Sequence, residues 1–342
     1  METIHNFFDD YSEGAHPRIL EAISTSNLTQ QASYGADSYS WEAASLIRER
    51  IGNPNSAVHF VSGGTQANII SLASMMKPYE AVIAASTAHI NLHEAGAIEA
   101  TGHKIISAVT KDGKLSVYDV RRIFELHTDE HMVKPKTVFI SNATELGTVY
   151  SKNELEELSD LCRRIGLYLY LDGARIGSAV AASGVGLQEI SELVDAFYIG
   201  GTKNGALFGE AIVVNNPTLQ EDFRYHIKQR GALLAKGWLL GIQFRELFRD
   251  DLYFDLARHA NSMSDILRRN VQRVGYEFLT DSPTNQLFPI LPLELFVRLR
   301  EKYGFYGWRD VGNLKMAIRL VTSWATPEEA VRKFLTDLKK LS

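Results

Sequence analysis

The stretch 167–208 constrains this chain most. It opens on LYLYLDGAR, in which Leu167, Leu169 and Leu171 alternate with Tyr168 and Tyr170. A period of two predicts a buried strand ending at Asp172. A helical spacer follows, then a second apolar run, 196–199, that ends in Gly200-Gly201-Thr202-Lys203. Taken singly, Asp172 reads as a strand-end helix cap and Lys203 as a surface lysine. Their order changes the reading, because an acid ends one buried strand and a lysine follows the next. A lysine amine can form a Schiff base with an aldehyde cofactor. A carboxylate can hold a pyridinium nitrogen protonated, which makes the ring of pyridoxal phosphate an electron sink. The small residues around Lys203 are expected to let a flat cofactor lie close to the backbone.

Upstream, a strand at 58–61 runs into Ser62-Gly63-Gly64-Thr65-Gln66, and a helix is expected over 65–76. A glycine turn opening a helix favours an anion, through free N–H groups and the helix dipole. Gly64 and Thr65 are therefore candidate phosphate contacts. The turn lacks the Gly-Lys-Ser/Thr of a Walker A loop and the G-x-G-x-x-G of a dinucleotide fold, which disfavours a nicotinamide dehydrogenase. Further strands are expected at 81–85, 103–109 and 137–141, with helices around 91–101 and 116–128. Strand and helix thus alternate from Val58 to Val214, the pattern of a mostly parallel α/β sheet. Ligands of such sheets sit beyond the carboxyl ends of the strands.

After Asn216-Pro217 the pattern turns helical, with one segment at 219–230 and a long one at 233–274, interrupted near Asp250-Asp251. The tail reads as α+β, with strands at 276–278, 285–290 and 316–321 and helices at 293–303 and 326–341. Arg319 interrupts the apolar strand MAIRLVTSW. A buried arginine there needs an anionic partner. The expected organisation is an arm and helix over 1–30, a large α/β domain over 31–250 and a small α+β domain over 251–342.

The segments LDGAR, GGTKNG and SGGTQAN resemble the threonine aldolase / β-eliminating lyase family. DYSEGAHP, TAHINLHEAGAIEATGHK, KQRGALLAKGWLLGIQF and IRLVTSWAT resemble its L-allo-threonine aldolase-like branch, from about residue 7 to the last helix. The resemblance implies the aminotransferase-like fold (fold type I) with pyridoxal 5'-phosphate as cofactor. The implied reaction is cleavage of L-threonine or L-allo-threonine to glycine and an aldehyde. The alternatives are β-elimination on another amino acid, or a non-catalytic binding protein of the same fold.

By the same resemblance Lys203 carries the cofactor, Asp172 holds its ring nitrogen and Arg175 lies near its phenolic oxygen. His89 stacks on the ring, and Arg319 grips the substrate carboxylate. Tyr34 and Ser12, with Asp10, approach the substrate, Tyr34 from a subunit interface. The general base is His89, Glu145 or a held water. Glu145 stands near where the family pattern carries a histidine. Lys228, Arg230 and Lys236 are candidates to reach a neighbouring subunit's phosphate, in a homodimer or homotetramer with shared sites.

His89, His93 and Glu94 lack the inner glutamate of H-E-x-x-H, so no metal is expected. A net charge of −5 gives no general attraction to nucleic acid or an anionic membrane. No apolar run reaches the roughly 20 residues of a membrane span. The opening METIHNFFDDYSEGAHP has no basic segment followed by an apolar one, so the expected compartment is the cytosol. The one cysteine, Cys162, excludes an internal disulfide and sits on a predicted amphipathic helix as a packed thiol.

Overall fold

In a computed structural model, which describes residues 5–342, the strands are as follows. They begin with β1 His5–Asn6, β2 Ala57–Val61, β3 Glu80–Ala85 and β4 Lys104–Ala108. The series continues with β5 Lys134–Ser141, β6 Tyr168–Asp172, β7 Ala196–Gly200 and β8 Glu210–Val214. The last are β9 Gln286–Leu287, β10 Ile290–Pro292, β11 Tyr303–Gly304, β12 Tyr306–Gly312 and β13 Lys315–Val321. A seven-stranded sheet runs in the order β2-β8-β7-β6-β5-β3-β4. β4, β3, β5, β6 and β7 are mutually parallel. β8 is antiparallel to both of its neighbours, so β2 regains the common direction.

Every residue of β3, β7 and β8 is buried, as expected of strands covered on both faces. Their Val, Ile and Phe residues form the first core with helices such as Gly64–Met75 and Lys152–Ile165. The latter opens on a capping box between Ser151 and Glu154 and closes on Gly166 at φ 75°. Cys162 lies on its buried face, and burial pushes the thiol up to about 12.

A second core gathers Phe7, Leu267, Leu291, Ile318, Phe334 and Leu338 around the small antiparallel sheet β10-β13-β12, with β9 also paired to β13. The helix Leu252–Val274 serves both cores, packing Tyr253, Phe254 and Leu256 into the first and Met263, Leu267 and Val271 into the second. β1 joins the second core by pairing with β11.

Four elements depart from the sequence pattern. The expected helix 91–101 is one turn, His89–Leu92, and a later 3-10 turn, Glu99–Thr101. Ala95 and Gly96, at φ 50° and 72°, break it. The segment 219–230 yields the helix Phe223–Gln229, which starts only after Asp222 at φ 57°. β12 was not expected, because YGWRDVG carries two glycines and no alternation. It is recruited by β13 across a two-residue turn, Asn313-Leu314, whose φ values of 51° and 55° suit the twist of a hairpin. The expected strand 276–278 reduces to a single bridge between Phe278 and Pro289.

Candidate functional site

The common direction of β2, β3, β5, β6 and β7 brings their carboxyl ends to one edge. Gly64, His89, Glu145, Asp172 and Lys203 all follow or end those strands. Asp172 pairs in register with Ser141. Its Oδ2 accepts from Asn68 Nδ2 at 2.9 Å and its Oδ1 from the Ala174 N–H at 3.0 Å. These donors let a carboxylate sit almost fully buried.

The glycines at the two strand ends also meet a steric demand of the strands. A Cβ on Gly173 would stand 1.8 Å from the Tyr198 carbonyl oxygen, and one on Gly200 2.4 Å from that of Ala174. The Gly200 N–H donates to the Gly173 carbonyl at 3.0 Å. Two strand ends are thus drawn together, which sets Lys203 close to Asp172. Among the described residues the Lys203 amine has no hydrogen-bond or ion-pair partner. Burial, and then the Arg175 charge, lower its pKa. Glu210 accepts from the Gly201 N–H at 2.8 Å and from Thr202 Oγ1 at 2.9 Å, and burial pushes it up to about 7.

The helix Gly64–Met75 starts after Gly63, in extended backbone at φ −172°. The N–H groups of Gly64, Thr65 and Gln66 have no carbonyl to serve in a helix that begins there. Gln66 turns its side chain back, where Oε1 accepts from Ser62 N and Oγ at 3.1 and 2.9 Å. The Tyr198 hydroxyl lies 3.0 Å from where a Cβ on Gly64 would be. A larger residue there would have to push the ring aside.

His89 is held twice. Its N–H donates to Glu145 Oε1 at 2.8 Å, which also takes the Ser141 hydroxyl at 2.8 Å. Its ring Nδ1 lies 2.8 Å from Glu94 Oε1. Burial, and then the nearby Asp172 charge, raise the Glu145 pKa. Glu145 is thus committed to holding the start of the His89 turn.

Arg175 faces Asp10, its Nε and Nη2 donating to the two carboxylate oxygens at 2.7 and 3.0 Å. Asn285 Nδ2 adds a bond to Asp10 at 2.8 Å. Burial pushes the Asp10 carboxyl up, but Arg175 and Lys203 outweigh it and hold the pKa below the usual value. The pair's contribution is therefore full above the ordinary Asp pKa and is lost as pH falls below it. Asp10→Ala leaves Arg175 buried and unpaired, so a loss of about 3–5 kcal/mol is expected by urea unfolding at pH 7. A loss under about 1 kcal/mol would show that the pair is exposed in solution.

Arg319 stacks on Tyr306 and Trp308, with its guanidinium carbon 5.0 and 5.2 Å from the ring centres. Its Nη2 donates to the Phe8 carbonyl at 3.0 Å, and its Nε is buried with no partner. Among the described residues no carboxylate pairs with it. Burial, and then Arg175, lower its pKa.

Ser12 is exposed and bonds locally, to Asp9 Oδ1 at 2.8 Å and Asn6 Nδ2 at 3.2 Å. Tyr34 is not brought to Lys203 within the chain. It is 42 % exposed at φ 60°, under Lys228 Nζ at 5.0 Å, and its carbonyl accepts from Arg224 at 3.1 Å. With Trp41, Arg48, His59 and Leu233 it lines a cavity of about 560 Å³ that none of Lys203, Asp172, His89 or Arg319 lines. Arg230 has its Nε buried without a partner.

Sequence reading missed Asn68, the contact of Glu94 with His89, and the Asp10–Arg175 pair. A buried asparagine in the middle of an apolar helix was a usable signal for the first. Nothing local signals the last, whose members stand 165 positions apart.

These residues fit pyridoxal phosphate. A partnerless amine lies beside a buried, hydrogen-bonded carboxylate, a helix start offers free N–H groups, and Arg319 keeps an unsatisfied buried Nε.

Residues 10–291 match the family model described as beta-eliminating lyase. A low specificity L-threonine aldolase of Pseudomonas aeruginosa is 34% identical over 341 residues, 97% of this chain and 96% of that protein. One from a Pseudomonas sp. strain is 34% identical over 337 residues, with 97% and 96% covered. A Leishmania major threonine aldolase structure superposes with a TM-score of 0.97 at 47% identity, over 98% of this chain and 99% of that one. A Thermus thermophilus aspartate aminotransferase matches at 0.72 and 17%, over 100% and 92%, and shows the shared fold alone. The arrangement of strand ends and the match over most of its length place the chain in the β-eliminating lyase family.

Proposed function

We propose that this chain cleaves L-threonine and L-allo-threonine to glycine and acetaldehyde, with pyridoxal 5'-phosphate anchored on Lys203. The observation that carries this reading is the partnerless Lys203 amine, set beside the buried carboxylate of Asp172 in a lyase-family chain. Bound pyridoxal phosphate supplies the electron sink for the pair left on Cα when the Cα–Cβ bond breaks.

The chain supplies the rest. The lowered pKa of Lys203 favours the nucleophilic amine. Asp172, fixed by Asn68 and Ala174, presents a carboxylate to the ring nitrogen. The N–H groups at Gly64 and Thr65 receive the phosphate, and Arg175 lends positive charge near the phenolic oxygen. Arg319 grips the substrate carboxylate with parallel N–H bonds and so orients the bond to be broken. His89, directly or through a water, takes the β-hydroxyl proton as the C–O bond becomes a carbonyl. Ser12 approaches the substrate, and Asp10 acts on it through the Arg175 that it holds.

The exposed Tyr34 and Lys228 belong to a face that a second copy covers in a homodimer or homotetramer. Tyr34 then reaches the partner's substrate. The chain acts on small amino acids in the cytosol and needs neither nucleic acid nor a membrane.

The test is acetaldehyde and glycine release from L-threonine, L-allo-threonine and their D-forms by the cofactor-loaded protein. Equimolar release from an L-form is expected. No release from any of the four, despite a cofactor absorbance band, moves the reaction to β-elimination.

A further inference from the structure

Glu94 is a buried carboxylate that the scheme above does not use. Its Oε1 accepts from Asn68 Nδ2 at 2.7 Å and lies 2.8 Å from His89 Nδ1, while its Oε2 is buried with no partner. A half-satisfied buried carboxylate costs stability, so packing alone does not account for it. Asn68 Nδ2 also donates to Asp172 Oδ2 at 2.9 Å, and Asn68 Oδ1 accepts from the Tyr170 hydroxyl at 3.2 Å. That network fixes the amide, because turning it over would aim its carbonyl at two carboxylates.

With Oε1 already an acceptor from Asn68, a carboxylate at Glu94 places the shared proton on His89 Nδ1. His89 Nε2 then carries the lone pair, on a side chain that is 38% exposed. The other titratable groups about His89 are His93, its ring 5.4 Å away, Glu145 on the His89 N–H, and Asp172 beyond Asn68. Arg319 adds positive charge on the His93 side.

We infer that Glu94 is a positioning residue for the proton transfer. It holds His89 as the Nδ1–H tautomer, leaves Nε2 as the open acceptor, and through Asn68 ties the imidazole to Asp172. An acid that orients a histidine for its other nitrogen to act as base is a recurrent device. The inference rests on the reading of His89 as proton acceptor.

Two measurements test it. In Glu94→Gln, kcat should fall about 10–100-fold with KM little changed. A Glu94→Gln variant that keeps the wild-type circular dichroism and the cofactor band, yet keeps kcat within about threefold of wild type, overturns the proposal.

The second measurement uses nitrogen NMR of the wild-type protein with labelled histidines, with and without pyridoxal phosphate, His89 being assigned through His89→Asn. The Nδ1–H tautomer is expected, and the Nε2–H tautomer overturns the proposal even if Glu94→Gln fails to fold. Absence of aldehyde release by the wild type would instead overturn the proposed reaction, leaving the tautomer result to stand.

Discussion

Replacing Lys203 with alanine is expected to lower aldehyde release at least about 10³-fold. The amine sits where β7 gives way to a glycine turn, with no protein partner, so its removal breaks no bond of the fold. It also removes a buried amine whose charged form burial disfavours. Measured without cofactor, the melting temperature should stay close to that of the wild type while turnover of the loaded protein collapses. The absorbance band of the anchored cofactor should vanish with the activity. Cleavage within about tenfold of wild type would remove Lys203 from the chemistry.

Arg319→Leu is expected to reduce kcat/KM for L-threonine by about 30- to 1000-fold, the range for losing a buried charge contact to a ligand. The guanidinium is held ready, over the Tyr306 and Trp308 rings and tethered to the Phe8 carbonyl, with Nε left over. Most of the loss should fall on KM if the grip is equal in bound substrate and transition state. Arg319→Lys should recover little, because an ammonium offers neither the planar fork nor the stacking face. An unchanged KM in Arg319→Leu would mean that the carboxylate binds elsewhere. Steady-state kinetics on the same four isomers reads this directly.

Much of the site was legible because much of it is local. Asp172 ends an apolar run whose period of two is plain in the sequence, Lys203 follows a second apolar run, and Gly64 opens a helix behind a third. Arg319 stood out as a charge in an apolar strand, and it has no acidic partner among the described residues. What stayed hidden was set by distance or by backbone exceptions. Asp10 meets Arg175 only when residues from the two cores fold together. Glu94 turns back to His89 because Ala95 and Gly96 take positive φ and stop the helix that periodicity suggested. The steric need for Gly173 and Gly200 was not visible, since it depends on the Tyr198 and Ala174 carbonyls across the strand gap.

The pairing of β1 with β11 bears on how the protein is made. Phe7 and Phe8 carbonyls are met by the Val321 N–H and by Arg319, and Glu13 accepts from the Ser323 hydroxyl across 310 positions. During synthesis the seven-stranded sheet has all its strands once Val214 has emerged. The loop bearing Asp10 must then wait for Asn285, Val321 and Ser323, which are translated more than 70 positions later. Contacts of such long range also slow the final closure. Closure of the Asp10 loop onto Val321 and Ser323 therefore comes after the strands of the sheet that bears Lys203 have all been made.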